Sequence, residues 1–561
     1  YFEGGAARLL TSPRRVVVAH ALEQVQPALR EVEEAVARGH TAAGYVAYEA
    51  APAFDAAMAT HPPGGPPLLW FGLYAEESPF TLPQPASPDL AWSAGVGEVA
   101  YEEAVAQARA YIAAGDTYQV NLTFPLRSPW QGDPLACFAA LHEAQPSPFA
   151  AFIHLGRWQV LSHSPELFFS LDGDRIVTRP MKGTRPRGRY PAEDAAMARE
   201  LVESAKERAE NVMIADLLRN DLGRIAEVGS VHAPSLFTAE RYPTVWQLTS
   251  TIEARTCASV PEIFSALFPC GSVTGAPKLR TMEIIRELEH GPRGVYCGAI
   301  GLWRPGRRAR FSVAIRTLTV DAGQGTAEFH TGSGITWDSA ATSEYRECMQ
   351  KTCFLTMPRD SFDLLETMRL DHGGIALLER HLARMRESAA YFGWDFPEPH
   401  IREAIAALQG PARVRLMLGR DGHFRVETQP LPESRPMRVA LHDVPVDSRD
   451  RMLFHKTTRR AMYDAALAAH PDTDDVLLFN ERGELTESCR ANVVVRIGGV
   501  DCTPPLDCGL LPGCMRAELL ARGEIQERII TRADLEQAEA LWVVNALRGR
   551  SAAHWKALPA P

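Results

Sequence analysis

A lysine becomes a nucleophile when it can shed its proton, and two segments place a lysine where that would be favoured. Arg179-Pro-Met-Lys-Gly-Thr-Arg-Pro-Arg187 sets Lys182 among Arg179, Arg185 and Arg187. Neighbouring cations and burial both disfavour the ammonium form, leaving an amine able to attack carbon. A solvated basic loop has the same composition, and spacing alone does not separate the two. Phe454-His-Lys-Thr-Thr-Arg-Arg460 repeats the pattern around Lys456, with a surface basic cluster as the plain alternative.

Carboxylates form the second group. Glu203, Glu207 and Glu210 recur at i, i+4 and i+7, and Glu344 and Glu347 at i and i+3. Each row reads as a solvated helix face. If the two helices faced each other, the same carboxylates would suit a Mg²⁺ ion that keeps some of its waters. Thr486-Glu-Ser-Cys-Arg-Ala-Asn-Val493 puts Glu487 at a strand end, suited to a pyridinium nitrogen or to a cross-strand ion pair. Gly271-Ser-Val-Thr-Gly-Ala-Pro-Lys278 precedes a helical pattern and could turn backbone N–H groups toward an anion or simply cap that helix; its spacing is not that of a P-loop. Leu378 to Arg384 opens another helix whose cationic side could meet an anion or water.

The elements that must carry these residues can be read coarsely. Tyr101–Gly115, Arg199–Leu222, Ser339–Phe354 and 377–392 predict helices. Leu68–Tyr74, Gln119–Phe124, Val295–Leu302, Phe311–Ile315 and Phe362–Arg369 predict strands, and two hairpins join 414–418 to 423–427 and 476–479 to 484–487. Thr356–Ser361 is a polar break. The 561 residues, 46% hydrophobic and 23% charged, suffice for several cores. The 59 Lys and Arg against 69 Asp and Glu give a formal charge of -10, which argues against nucleic acid as a main partner. Neither a membrane span nor a signal peptide is expected. The start lacks Met. Ten cysteines without a C-x-x-C fit reduced thiols in the cytoplasm.

Read in order, Ser164-Pro-Glu166, Pro180 to Thr184, Glu210-Asn211, Arg219-Asn-Asp221, Gly275 to Lys278, Ile315 to Leu318 and Gly332-Ser-Gly334 resemble the chorismate-utilising enzymes, in the branch of aminodeoxychorismate synthase component I. The resemblance covers about residues 10–355. It implies a two-lobed fold of stacked antiparallel sheets with outer helices. It implies that Lys182 attacks C2 of chorismate and expels the C4 hydroxyl, after which ammonia adds at C4. It further implies Glu166 beside Lys182, Mg²⁺ on Glu210 and Glu347 with Glu344 nearby, and substrate binding by Arg316, Thr274, Gly275, Gly332, Gly334 and Lys278. Gln247 stands where the family often has a histidine; it can donate a hydrogen bond but cannot titrate.

Arg384, Lys456, Glu487, Leu511-Pro-Gly-Cys-Met-Arg516 and Asn545-Ala-Leu547 resemble fold-type IV pyridoxal-phosphate enzymes, a family that includes aminodeoxychorismate lyase. That implies an α+β unit of two subdomains, with Lys456 as the cofactor lysine, Glu487 on the pyridine nitrogen and Arg384 on the phosphate. Gly513, Cys514 and Met515 would add backbone N–H groups, with Asn545 and Ala546 close by and Thr367 as a helper.

The expected organisation is therefore residues 1–355, a linker at 356–361 and residues 362–561. The expected activity is amination of chorismate followed by release of pyruvate, giving 4-aminobenzoate for folate. The chain has no glutaminase-like cysteine turn, so ammonia is expected from a separate glutamine amidotransferase subunit, and a homodimer through the C-terminal unit is allowed. The alternatives are an aminotransferase or a non-catalytic module at the C-terminus, and anthranilate formation at the N-terminus.

Overall fold

A computed structural model describes residues 1–3, 5–86, 88, 90–355, 362–433 and 435–555. The expected linker at 356–361 lies outside the described residues. The chain divides into two compact units, Tyr1–Pro186 with Ala198–Pro358, and Arg187–Met197 with Arg359–Pro561.

In the first unit, strands of alternating side-chain direction build two large antiparallel sheets beside a small one of Phe2–Glu3, Ala6–Leu9 and Ser78–Pro79. One runs Gly275–Ala276, Gln119–Pro129, Thr326–Ile335, Thr317–Asp321, Trp158–Ser164, Phe149–Leu155, with Ser93–Ala94 beside Gln119–Pro129. The other runs from Met181–Pro186 through Val245–Arg255, Arg175–Arg179, Leu167–Asp172, Arg308–Val313 and Ala299–Arg304 to Thr41–Val46, Leu69–Tyr74 and Arg15–Ala19. Tyr45 and Ile300 of the second sheet pack with Val160, Ala151 and Ile153 of the first, so the sheets meet face to face.

Helices cover the outer faces. Leu22–Ala37, Ala205–Gly223 and Val260–Leu267 bury Leu29, Leu218 and Phe264 against Phe71, Phe169 and Phe311. Glu98–Ala113, Lys278–Leu288 and Ala341–Gln350 bury Val105, Ile284 and Cys348 against Leu122, Phe124 and Phe329. Each large apolar side chain so buried contributes about 1.5–3 kcal/mol.

Two helix expectations are corrected. The single helix expected over 199–222 is broken: Pro191–Glu203 ends, and Ser204 starts Ala205–Gly223 by accepting the Glu207 N–H on its hydroxyl. The helix expected to reach Phe354 ends at Gln350, and Cys353–Leu355 forms a 3₁₀ turn. The basic segment around Lys182 is likewise no loop. It is the edge strand Met181–Pro186, paired with Val245–Arg255 through a register shift between Met181 and Thr184.

The second unit has two sheets. Leu364–Asp371 and Ala412–Leu418 pair at the centre of a four-stranded antiparallel sheet covered by the helices Leu378–Phe392 and Glu398–Ala406. The larger sheet is mixed, with Met437–Leu441 parallel to both Asp475–Phe479 and Gly549–Trp555. The segment Arg187–Met197 belongs here: the Tyr391 hydroxyl donates to the Gly188 carbonyl at 2.8 Å, and Arg187 pairs with Asp194 at 2.7 Å. No helix among the described residues is long and apolar enough to cross a membrane.

Candidate functional site

The first unit holds a cavity of about 360 Å³ whose wall includes Glu166, Lys182, Glu210, Gln247, Arg316, Gly332, Gly334, Glu344, Glu347 and Lys351. The edge strand delivers Lys182 to it. Asn211, on helix Ala205–Gly223, fastens that strand by donating to the Lys182 carbonyl at 3.2 Å and to the Leu248 carbonyl at 3.1 Å. Gly334 leaves room for the amine, since a Cβ there would lie 2.6 Å from Lys182 Nζ.

Burial is what pushes the Lys182 pKa down; Glu210 opposes this and Lys351 adds to it. The arginines adjacent in sequence are spent elsewhere. Arg179 pairs with Glu240 at 3.3 Å, Arg185 with Glu207 at 2.8 Å, and Arg187 lies in the other unit. Arg185 lines the same cavity, but the charges that act most on Lys182 are Glu210, Lys351, Glu166 and Glu347.

Glu166, 3% exposed, leaves one carboxylate oxygen without a hydrogen-bond partner among the described residues. Burial raises its pKa to about 7, against the Ser272 hydroxyl and Lys182. A carboxyl near half-protonation at neutral pH suits proton transfer. Arg316 holds a left-handed φ of 50°, and its Nη1 is buried with no hydrogen-bond partner among the described residues. Burial lowers its pKa, yet a guanidinium stays charged. Such an orphan is costly until an anion meets it.

Burial chiefly raises the Glu210 pKa, with Glu344 adding repulsion. Lys351, 2.7 Å from Glu347, holds the latter low. Among the described residues only Glu366, His381 and Cys514 bring three candidate ligand atoms within 4.8 Å of one another. Glu210, Glu344 and Glu347 share a wall without closing that far. Three carboxylates spread around a cavity fit a Mg²⁺ ion held partly through water.

Three residues expected at the substrate lie off this wall. The Thr274 N–H donates to the Gly271 carbonyl at 3.3 Å, Gly275 pairs with Val120, and Lys278 Nζ bonds Asp221 at 2.8 Å. They secure the short strand Gly275–Ala276 and the helix behind it. Lys351 was missed, because a lysine four residues after a glutamate reads as an ordinary helix pair.

The second unit holds a cavity of about 430 Å³ lined by Thr367, Arg384, Lys456, Glu487, Gly513, Cys514, Asn545 and Ala546 among others. Burial, then Arg384, lowers the Lys456 pKa to about 8. Glu487 accepts from Tyr463 at 2.9 Å, from Asn492 at 3.2 Å and from the Leu511 N–H at 3.2 Å, and burial raises it to about 7. Gly513 starts helix Cys514–Ala521 with no side-chain cap. Its first N–H groups are open to an anion. Asn545 is turned to its own loop, accepting from Leu547 and Arg548 at 3.1 and 2.9 Å. Met515 is off the wall, packed near Val494 and Leu519. A weakly basic amine, a buried carboxylate and an uncapped helix start beside Arg384 fit pyridoxal phosphate.

Sequence reasoning missed Glu366. It grips Arg384 at 2.6 and 2.8 Å and His381 at 2.7 Å. It sits on an alternating strand, where a buried glutamate gives no periodic signal.

Comparison with known proteins gives two family matches: residues 77–357 match the chorismate binding enzyme family and residues 363–553 the class IV amino-transferase family. An aminodeoxychorismate synthase of Streptomyces pristinaespiralis is 41% identical over 312 residues, 55% of this chain and 42% of that protein. Aminodeoxychorismate synthase component 1 of Klebsiella aerogenes is 46% identical over 263 residues, 46% of this chain and 58% of the relative. The chain thus spans about half the length of the curated relatives it matches. Among solved structures, anthranilate synthase component I of Streptococcus pneumoniae superposes with a TM-score of 0.57 at 24% identity, over 64% of this chain and 93% of that one. This last likeness is one of fold.

Proposed function

Because the chain belongs to the chorismate binding enzyme family, we propose that its first unit aminates chorismate to 4-amino-4-deoxychorismate and its second releases pyruvate from that product, giving 4-aminobenzoate. The observation that carries the first half is Lys182, a half-buried lysine whose amine shares a cavity wall with Glu166 and Arg316.

In this reading Arg316 takes a substrate carboxylate. Neutral Lys182 forms a bond to C2 as both ring double bonds shift by one position and the C4–oxygen bond breaks. Glu166, protonated in part at neutral pH, gives the departing hydroxyl its proton, a step Gln247 cannot perform. Ammonia then bonds to C4, both double bonds return and the Lys182 nitrogen leaves C2. Two allylic displacements replace one difficult substitution. Glu210, Glu344 and Glu347 would hold Mg²⁺, which supplies Lewis acidity toward oxygen. A separate glutamine amidotransferase subunit supplies the ammonia.

In the second unit Arg384 and the helix start at Gly513 would hold the phosphate of pyridoxal phosphate, and Glu487 its ring nitrogen. The bound group supplies an electron sink. Lys456, with its pKa near 8, takes the proton from C4 of the amine; the enolpyruvyl C–O bond breaks, pyruvate departs and the ring becomes aromatic.

The test is product analysis of the purified chain with chorismate, ammonium, Mg²⁺ and pyridoxal phosphate. The expected products are 4-aminobenzoate and pyruvate. Anthranilate would overturn the reading of the first unit, and accumulation of the aminated intermediate that of the second.

A further inference from the structure

The strand Thr326–Ile335 brings one more titratable side chain to the cavity of Lys182. His330 lies on that cavity's wall together with Tyr296, and both also line a second cavity of the first unit, about 540 Å³ in volume. Residues two apart on a strand leave it on one face, so His330 shares a face with Gly332 and Gly334, and Gly334 is the residue beside Lys182 Nζ. Four residues of strand span about 13 Å. His330 therefore stands at the end of the cavity away from Lys182, where the second cavity begins.

The histidine is 6% exposed and stacks on the Tyr296 ring with centroids 5.1 Å apart. Its Nε2 is 2.9 Å from one Glu328 oxygen, and the other oxygen accepts from Arg127 at 2.7 Å. Burial would raise the Glu328 pKa, but His330 and Arg127 bring it down, so the carboxylate is an anion and only accepts. Nε2 thus carries the hydrogen and Nδ1 the lone pair. That Nδ1 is buried without a hydrogen-bond partner among the described residues, an acceptor with no donor to answer it. The neighbouring charges are already paired. On the second cavity's wall Arg293 meets Glu289 at 2.6 Å and Asp321 meets Arg157 at 2.6 Å. On the first, Lys351 bonds the Gly332 carbonyl at 2.9 Å and Glu347 at 2.7 Å. Burial keeps the Tyr296 hydroxyl protonated.

A neutral imidazole held by an anion at one nitrogen and open at the other is equipped as a general base. At neutral pH dissolved ammonia is almost entirely ammonium, which has no lone pair with which to attack carbon. We propose that His330, oriented by Glu328, is a catalytic base that takes a proton from ammonium as it enters the cavity of Lys182. One N–H bond of ammonium breaks and its electron pair stays on nitrogen, giving ammonia. The proton goes to His330 Nδ1, and Glu328 stabilises the imidazolium until the proton passes to solvent through the second cavity. The proposal rests on the proposed amination and names the residue that prepares its nitrogen donor.

The test is the pH dependence of kcat/KM for total ammonium in the full chain with chorismate and Mg²⁺, read as aminated product. His330→Gln is expected to lower it about a hundredfold at neutral pH and to approach the native value at alkaline pH, where free ammonia takes over. The KM for chorismate should hold. Glu328→Gln should show the same pH signature with a smaller loss. A purely structural role would lower the rate equally at every pH; that result, or no loss at neutral pH in His330→Gln, overturns this proposal alone. A native chain that forms no aminated product overturns the amination reading and this proposal with it.

Discussion

Glu366 and Arg384 form a two-pronged buried ion pair, with Arg384 Nε 2.8 Å and Nη2 2.6 Å from the carboxylate oxygens. Burial alone would raise the Glu366 pKa, but Arg384 and His381 bring it down to about 2. The third Arg384 nitrogen, Nη1, reaches the Pro512 carbonyl at 3.1 Å, next to Gly513. Glu366 thus fixes the arginine beside the helix start that would share its proposed task of holding a phosphate.

Glu366→Gln should weaken pyridoxal-phosphate binding about tenfold, because breaking one side of a buried pair costs roughly 3–5 kcal/mol spread over folding and binding. Absorbance titration with the cofactor measures this. Glu366→Asp, which keeps the charge, should recover part of the loss. Unchanged affinity in the glutamine variant would remove its positioning role.

Lys182→Ala should lower formation of the aminated intermediate by on the order of 10³-fold or more, as removal of a covalent nucleophile does. Pyruvate release from supplied aminodeoxychorismate should be untouched. Near-normal amination by the variant would exclude attack by Lys182.

Lys456 has a folded pKa of about 8 against an ordinary 10.5. The sign follows directly: the depressed value leaves the amine neutral above about pH 8, where an unperturbed lysine is still charged. The rate at which the cofactor-free chain takes up pyridoxal phosphate should therefore rise through about pH 8 and level off above it. A rate still climbing at about pH 10 would contradict the burial argument.

Removing divalent metal with a chelator should abolish amination of chorismate and leave pyruvate release intact, since the acidic wall belongs to the first unit. Glu210→Gln should raise the Mg²⁺ concentration needed for half-maximal amination by about tenfold. Equal metal dependence of the two half-reactions would argue against Mg²⁺ at Glu210, Glu344 and Glu347.

Much of the fold was legible because period-2 and period-3.6 patterns mark strands and helices locally. The helix break at Ser204 was readable in principle, as a serine three residues before Glu207 is a cap signal; the apolar stripe running past it hid the break. Lys278 lies off the cavity wall for a different reason. Its Gly-Ala-Pro-Lys context is local, whereas its partner Asp221 lies on another helix.

The order of residue types along the chain determined by itself which groups are available: two lysines, a set of carboxylates, and glycines where backbone must come close. Only the tertiary structure decided what surrounds them. Lys182 loses basicity through burial rather than through the arginines beside it in sequence, and Arg384 owes its place to a glutamate eighteen residues upstream. Solvent exclusion and charge pairing depend on distance through space, and a strand or helix turns neighbours in sequence away from one another while folding brings strangers together.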